Sequence, residues 1–174
     1  TEGECPLGNL VADAMLAATS GDRPAEASMH NNSGLRARIP AGPITYGQLY
    51  QALPFDNVIA SIDIKGDAIL AILERTVAGR RGNLVVAGMT YQFDYGKAPG
   101  SRLLSATIGG KPIDPARVYR INTIDYLATG GDGQTTFTQS KIVTLGDRVA
   151  DVVADYIKTH SPVNPMVEGR IVAR

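Results

Sequence analysis

The sequence predicts an α+β fold, a mixed β-sheet packed with helices, in one domain spanning residues 1–174. Three observations carry this. Segments with apolar residues at helical spacing are interspersed with segments of strand-like alternation. A Gly109-Gly110 pair between two strand-like runs marks a hairpin, and hairpins favour a mixed sheet over a doubly wound parallel one. No repeat, charge run or low-complexity stretch divides the chain, and at 174 residues with 44% hydrophobic content it is long enough to bury a core.

In chain order, Leu7, Leu10, Val11, Ala14 and Met15 share one helical face, which predicts a helix over residues 7–19, ended by Gly21 and Pro24. Residues 25–31 read as a short strand running into the polar turn Asn31-Asn32-Ser33-Gly34. Pro40 and Gly42-Pro43 mark a loop, and Thr45 is suited to cap a short helix over residues 46–53. A strand follows over residues 58–64, then a helix launched by Gly66-Asp67 with Ile69, Ile72, Leu73 and Thr76 on one face. Gly79 and Gly82 bracket Arg80-Arg81 at its exit. Strands are expected at residues 84–86, 89–95, 103–108, 111–113 and 118–123. Tyr126 to Gly133, YLATGGDG, reads as a loop. A last helix over residues 147–159 and a strand over 167–172 complete the order.

Composition removes several function classes. Lysine plus arginine equals aspartate plus glutamate at 17 each, so no global field attracts a nucleic-acid polymer or an anionic membrane. The longest apolar runs are broken by charge or glycine, so no membrane span is expected. The N-terminus shows no charged start followed by an apolar run, hence no signal peptide, and it opens abruptly on the approach to a helix, as a piece of a longer polypeptide would. Cys5 is the one cysteine, cannot form an internal disulfide and reads as a small packed residue.

Two stretches stand out. Residues 31–57, NNSGLRARIPAGPITYGQLYQALPFDN, open on a glycine-containing turn with Arg36 after it and close on Pro54-Phe55-Asp56-Asn57. The second is the YLATGGDG loop. Together they supply two aromatic rings, a guanidinium, a carboxylate and several side-chain amides, the inventory of a nucleoside-sized pocket. Each feature has a plainer reading. An aromatic after proline is more often core, and an Asp in a GGDG loop is commonly only a turn residue.

NNSGLR, PITYGQLYQALPFDN and YLATGGDG, in that order, resemble the C-terminal domain of the 5'-nucleotidase family, which also includes 2',3'-cyclic-nucleotide phosphodiesterases and UDP-sugar hydrolases. CPLGNL with Ala12-Asp13-Ala14 near the start and VEGRI near the end fit as well, so the similarity spans nearly the whole chain. The resemblance implies a nucleotide-handling part of a phosphoric ester hydrolase acting in the periplasm or outside the cell. It implies that Phe55 and Tyr126 sandwich a base, since every base offers a π-face. By the same resemblance Asp132 accepts hydrogen bonds from ribose hydroxyls, and Arg36 reaches the phosphate end, where a planar guanidinium suits phosphoryl oxygens. Asn31 and Asn57 match amides near the base edge, Gly34 belongs to the first turn, Gly88 matches a backbone contact, and Gly131 with its neighbours Gly130 and Gly133 shapes the Asp132 loop.

Departures from the family pattern are visible too. Asn32 and Ser33 stand where family members carry glycines, and Tyr126 adds a hydroxyl to what is often phenylalanine. Family members use two divalent metal ions, such as zinc or manganese, held by an N-terminal metallophosphatase domain. This chain has two histidines, His30 and His160, with no ligand-like spacing, so the resemblance implies a specificity domain that hydrolyses nothing alone and has that metal-bearing domain as its partner. Two other classes stay open: a hydrolase of the same superfamily acting on a cyclic nucleotide, a UDP-sugar or a thiosulfate-type sulfur ester, and a non-catalytic binding or structural module.

Overall fold

A computed structural model describes residues 3–79 and 84–174. The expected Arg80-Arg81-Gly82 helix exit lies outside the described residues. Helix α1 (Pro6–Ala17) begins with proline in its first turn, where a missing N–H costs nothing, and Cys5 caps it, its Sγ accepting from Gly8 N at 3.3 Å. Strand β1 (Ala27–Asn31) is buried along its whole length and runs into a 3-10 turn, Asn32–Gly34. Helix α2 (Tyr46–Ala52) carries the Thr45 cap in its full reciprocal form, with Gln48 returning a hydrogen bond to the Thr45 backbone.

Strand β2 (Val58–Lys65) leads into α3 (Gly66–Ala78), whose Ile69, Ile72, Leu73 and Thr76 are buried as their spacing requires. Strands β3 (Leu84–Ala87), β4 (Met89–Phe93), β5 (Leu103–Ile108) and β6 (Lys111–Pro112) follow, the last two joined at Gly109-Gly110. Strand β7 (Val118–Ile124) passes into a one-turn helix, α4 (Asp125–Ala128), then 3-10 turns at Gly131–Gly133 and Thr135–Gln139. Strand β8 (Lys141–Arg148), helix α5 (Val149–His160) and strand β9 (Ile171–Ala173) finish the chain.

The strands form two sheets instead of one. A five-stranded sheet has the order β3-β1-β7-β2-β8, and a four-stranded sheet the order β6-β5-β4-β9. Both are mixed: β1 runs parallel to β7 in the first and β4 parallel to β9 in the second, the other pairs being antiparallel. Methionine, isoleucine and leucine side chains of α1, α3 and the first sheet, with Tyr91 and Phe93 of the second, join in one apolar core.

Strand β8 escapes sequence reading because it lacks the alternation a half-buried strand shows. Ile142 and Leu145 are 43% and 59% exposed, and the register with β2 shifts twice, which puts successive side chains out of phase. The shift of α5 from an expected start at residue 147 to Val149 has the same origin, since Asp147 and Arg148 still belong to β8. Strand β9 starts at Ile171, and just before it residues 168 and 170 donate their N–H groups to the Glu4 carboxylate, both at 2.7 Å.

Buried polar ties fix the layers. Asn122 on β7 donates to Met15 O at 2.7 Å and accepts from Ser61 Oγ at 2.7 Å, locking α1, β7 and β2 together. At the far end of β7, the Arg120 side chain is 3% exposed and forks onto Asp63 at 2.7 and 3.2 Å, while also donating to Ser20 O at 2.6 Å. Its guanidinium holds the Asp63 carboxyl below the usual carboxylate range.

The topology gathers one end of the first sheet. Parallel β1 and β7 send their C-terminal ends to the same edge, and antiparallel β2 starts there, with Ile59 opposite Ile124. Residues 31–34, 55–57 and 125–133 therefore meet, as ligand-binding loops do at the carboxyl ends of parallel strands.

Removing Arg120 leaves the Ser20 carbonyl without its donor and Asp63 with Arg23 alone. Arg120→Ala is expected to lower the unfolding free energy by about 3 kcal/mol in urea titration, and Arg120→Lys to recover only part of it, because an ammonium cannot fork.

Candidate functional site

The site is built on three strand ends. Asp125, first residue of α4, accepts with one oxygen, Oδ1, from Tyr126 N at 2.9 Å and from Val58 N at 3.2 Å. One carboxylate oxygen thus holds the segment that carries Tyr126 against the segment that carries Phe55 and Asn57. Val149 N donates to Asn57 O at 3.0 Å, so the N-terminus of α5 fixes the same segment from its other side.

Between these segments lies a cleft of ≈ 370 Å³ lined by Asn31, Ser33, Gly34, Arg36, Phe55, Asn57, Tyr126 and Asp132. Phe55 is 49% and Tyr126 44% exposed, so both rings present a face to solvent instead of entering the core. A larger hollow of ≈ 620 Å³ lies on the other side of Asn31 and Asp132, next to Arg75, Thr76, Gly79 and Gln134. Among the described residues its lining has no aromatic side chain, so the site is assigned to the smaller cleft.

Asp132 is the electrostatic centre. Its Oδ2 accepts from Asn31 Nδ2 at 2.8 Å and from Ser33 Oγ at 3.1 Å, and its Oδ1 accepts from Tyr126 Oη at 3.0 Å. The Tyr126 hydroxyl in turn accepts from Asp132 N at 3.1 Å, which closes a small ring within the loop. Asp132 takes a left-handed backbone (φ 54°), the one non-glycine residue among those described to do so, and its neighbours Gly130 and Gly133 do the same (φ 93° and 71°). Gly131 answers to a different need: a Cβ there would sit 2.5 Å from Tyr126 Cε1, so a side chain would push the ring off Asp132.

Arg36 is placed by its backbone, N donating to Ala52 O at 2.8 Å, and its Nη1 donates to Ser33 O at 3.1 Å. Asn31 is 9% exposed, with Nδ2 divided between Asp132 and Ser33 Oγ; its Oδ1 accepts nothing among the described residues. Beneath the first turn, His30 is buried so closely that a Cβ added at Gly34 would lie only 2.6 Å from its ring. Its Nδ1 sits 2.8 Å from Asn31 O, and since a carbonyl only accepts, Nδ1 carries the proton. Burial pushes its pKa down to about 4, against the pull of that carbonyl and of the Asp132 charge.

Seven of the nine residues singled out from the sequence line the cleft: Asn31, Gly34, Arg36, Phe55, Asn57, Tyr126 and Asp132. Gly131 supports it from behind the Tyr126 ring. Gly88 is elsewhere, in the β3–β4 turn, where it lines a third opening together with Asp13, Glu168 and Arg170. Asp125 is the residue that sequence reading passed over; its only signal is a carboxylate set between a strand and the aromatic. Among the described residues no group of three or more His, Cys, Asp or Glu side chains could hold a metal ion, so the divalent ions that the resemblance implies find no fitting donor set among them.

Fold and site define an α+β domain with an open cleft flanked by two rings and centred on a carboxylate. The family described as "5'-nucleotidase, C-terminal domain" matches residues 1–139, and the chain belongs to that family. It is 33% identical over 190 residues to an apyrase of Tabanus yao, covering 97% of this chain and 34% of that protein. It is also 33% identical over 179 residues to the trifunctional nucleotide phosphoesterase protein YfkN of Bacillus subtilis, covering 97% of this chain and 12% of that one. Among solved structures, a 5'-nucleotidase precursor from Thermus thermophilus superposes with a TM-score of 0.93 at 36% identity, covering 99% of this chain and 36% of that chain. The chain therefore spans about a third of the length of two of these relatives and less of the other. No helix among the described residues is long and apolar enough to cross a membrane.

His30 gives a pH signature. Its folded pKa lies below its ordinary 6.5, so the unfolded chain binds the extra proton first as pH falls. The contribution is whole above pH 6.5 and is lost between 6.5 and about 4, on the order of 3 kcal/mol in all. His30→Gln is expected to flatten that part of the stability–pH curve, measured by urea unfolding at stepped pH.

Proposed function

We propose that this chain is the nucleotide-binding specificity domain of a metal-dependent 5'-nucleotidase-type phosphohydrolase, spanning residues 1–174 as one domain. The base stacks between Phe55 and Tyr126, Asp132 accepts from the sugar hydroxyls, Asn31 and Asn57 border the base, and Arg36 meets the phosphate. The observation that carries this reading is the convergence of three separated segments on one cleft of ≈ 370 Å³, within the range of small-molecule sites, with both rings half-exposed. Two half-exposed rings lining one cleft offer apolar faces to a flat partner.

The charges suit a nucleotide in order. Asp132 and Arg36 both line the cleft, so a ligand with hydroxyls toward one end and an anionic group toward the other meets matching partners. The two divalent ions implied by the family resemblance belong, on this reading, to a metallophosphatase part of the same polypeptide. This chain alone then binds without hydrolysing. Family membership also supports a location in the periplasm or outside the cell.

Titration with adenosine and AMP, followed by amide NMR shifts, tests the reading. Half a binding site is expected to give Kd on the order of millimolar, roughly −4 kcal/mol. Shifts should cluster at residues 31–36, 55–57 and 126–132 and vanish in Phe55→Ala and Tyr126→Ala. Arg36→Ala should erase the advantage of AMP over adenosine while sparing adenosine itself. No shifts in these loops at tens of millimolar ligand would overturn the assignment and turn attention to a non-nucleotide ester or a structural role.

A further inference from the structure

Strands β2 and β7 stop pairing with Ile59 opposite Ile124, because β7 turns into α4 at Asp125. In that antiparallel register the next pair would set Val58 against Asp125, and there a side chain stands in for the backbone. Asp125 Oδ1 accepts from Val58 N at 3.2 Å and from Tyr126 N at 2.9 Å, while Asp125 is not itself part of the cleft lining. Resting on the nucleoside reading above, we infer that Asp125 is a positioning residue for the two rings: its Oδ1 fixes the gap between Phe55 and Tyr126 and so sets the affinity for a flat base that it never touches.

What the bond joins sets it apart. Among the described residues, no other hydrogen bond links residues 54–58 with residues 125–133. The remaining anchors of each segment lead elsewhere: Asn57 O accepts from Val149 N of α5 at 3.0 Å, Asp56 pairs with Arg148 at 3.3 Å, and Tyr126 closes its ring of bonds onto Asp132. Those bonds fix each aromatic to its own wall of the cleft. Among them, only the Asp125 oxygen relates one wall to the other beyond the last ladder pair. Both donors share that oxygen, so neither segment shifts without moving the acceptor of the other. A base that enters between rings already spaced for stacking loses less freedom than one that has to gather two separate loops. The task asks for an acceptor, not for a charge, since an amide oxygen in the same place takes the same two N–H groups.

The test titrates the chain with AMP and with ribose 5-phosphate, followed by amide NMR shifts, in wild type, Asp125→Ala, Asp125→Ser and Asp125→Asn. Ribose 5-phosphate carries the sugar and the phosphate but no base, so it reports on Asp132 and Arg36 without the rings. Wild type is expected to bind AMP at least about tenfold more tightly than ribose 5-phosphate, the share that stacking adds. Asp125→Ala is expected to weaken AMP about tenfold while leaving ribose 5-phosphate within about twofold of wild type. Asp125→Ser is one bond too short for Val58 N yet keeps an acceptor beside Tyr126 N, so it should show the same split even where Asp125→Ala unfolds α4. Asp125→Asn keeps the acceptor and should bind both ligands within about twofold of wild type. AMP bound at wild-type strength by Asp125→Ser, an equal loss for both ligands, or failure of Asp125→Asn to keep AMP binding overturns this inference and leaves the nucleoside reading standing. No shift with AMP in the wild-type loops overturns both.

Discussion

The parallel pairing of β1 with β7 is the constraint on which the rest of the site depends. Ala27 lies opposite Ile121 and Ser28 opposite Asn122, so two strands nearly a hundred residues apart in sequence leave the sheet side by side in the same direction. Parallel neighbours cannot be joined by a tight turn. The chain between them makes α2, β2, α3, β3 and three strands of the second sheet before it returns, and β2 comes back antiparallel with its first residues at that same edge. Once those three strands are set, the first turn, the Phe55 segment and the Tyr126 loop have nowhere to be but together. The buried Asn122 side chain, bonded to Met15 O and Ser61 Oγ, secures this arrangement from within.

Much of this was legible beforehand, and the reasons are local. α1 and α3 announce themselves through apolar spacing and α2 through the Thr45 cap, signals that need no tertiary context. The cleft was legible for a different reason. The turn, the aromatic after proline and the GGDG loop each have a plainer reading alone; it is their order, matched to the family pattern, that named nine residues, and seven of them line one cleft. What stayed hidden depends on partners far away in sequence. The division into two sheets is decided by pairing, not by any strand's own pattern, and β8 has no alternation to read because its register breaks twice. Gly88 was named through the resemblance, and nothing local says which end of the fold its turn (φ 66°) occupies.

The site shows how a polar cluster can be held open without a ligand. Asp132 combines a left-handed backbone with a carboxylate that would face water unaided, and it is kept in place by donors from two other segments and by its own loop. His30 supports the turn above it in its neutral form, because its ring is walled in under Gly34 and burial disfavours the charged form more than the Asp132 carboxylate favours it. The arrangement separates tasks. Buried groups such as Asn31 and His30 set positions, whereas the exposed rings and hydroxyls remain free to make or exchange contacts.

The two interruptions in β8 also bear on self-association. β8 is the outermost strand of the first sheet, eight residues long, with Ile142 and Leu145 turned toward solvent. A straight edge of that length is a template on which another extended chain can zip up. Here the pairs Ala60–Leu145 and Ser61–Thr144 share one register, and Ile62–Ile142 and Asp63–Lys141 share another, so no more than two successive residues present their N–H and C=O groups in phase. A strand arriving from outside would have to repeat both breaks to add to the sheet, and the charges of Lys141, Asp147 and Arg148 stand at the ends of the stretch it would cover. An irregularity that concealed the strand from its sequence pattern thus also serves as a guard against amyloid-like growth at that edge.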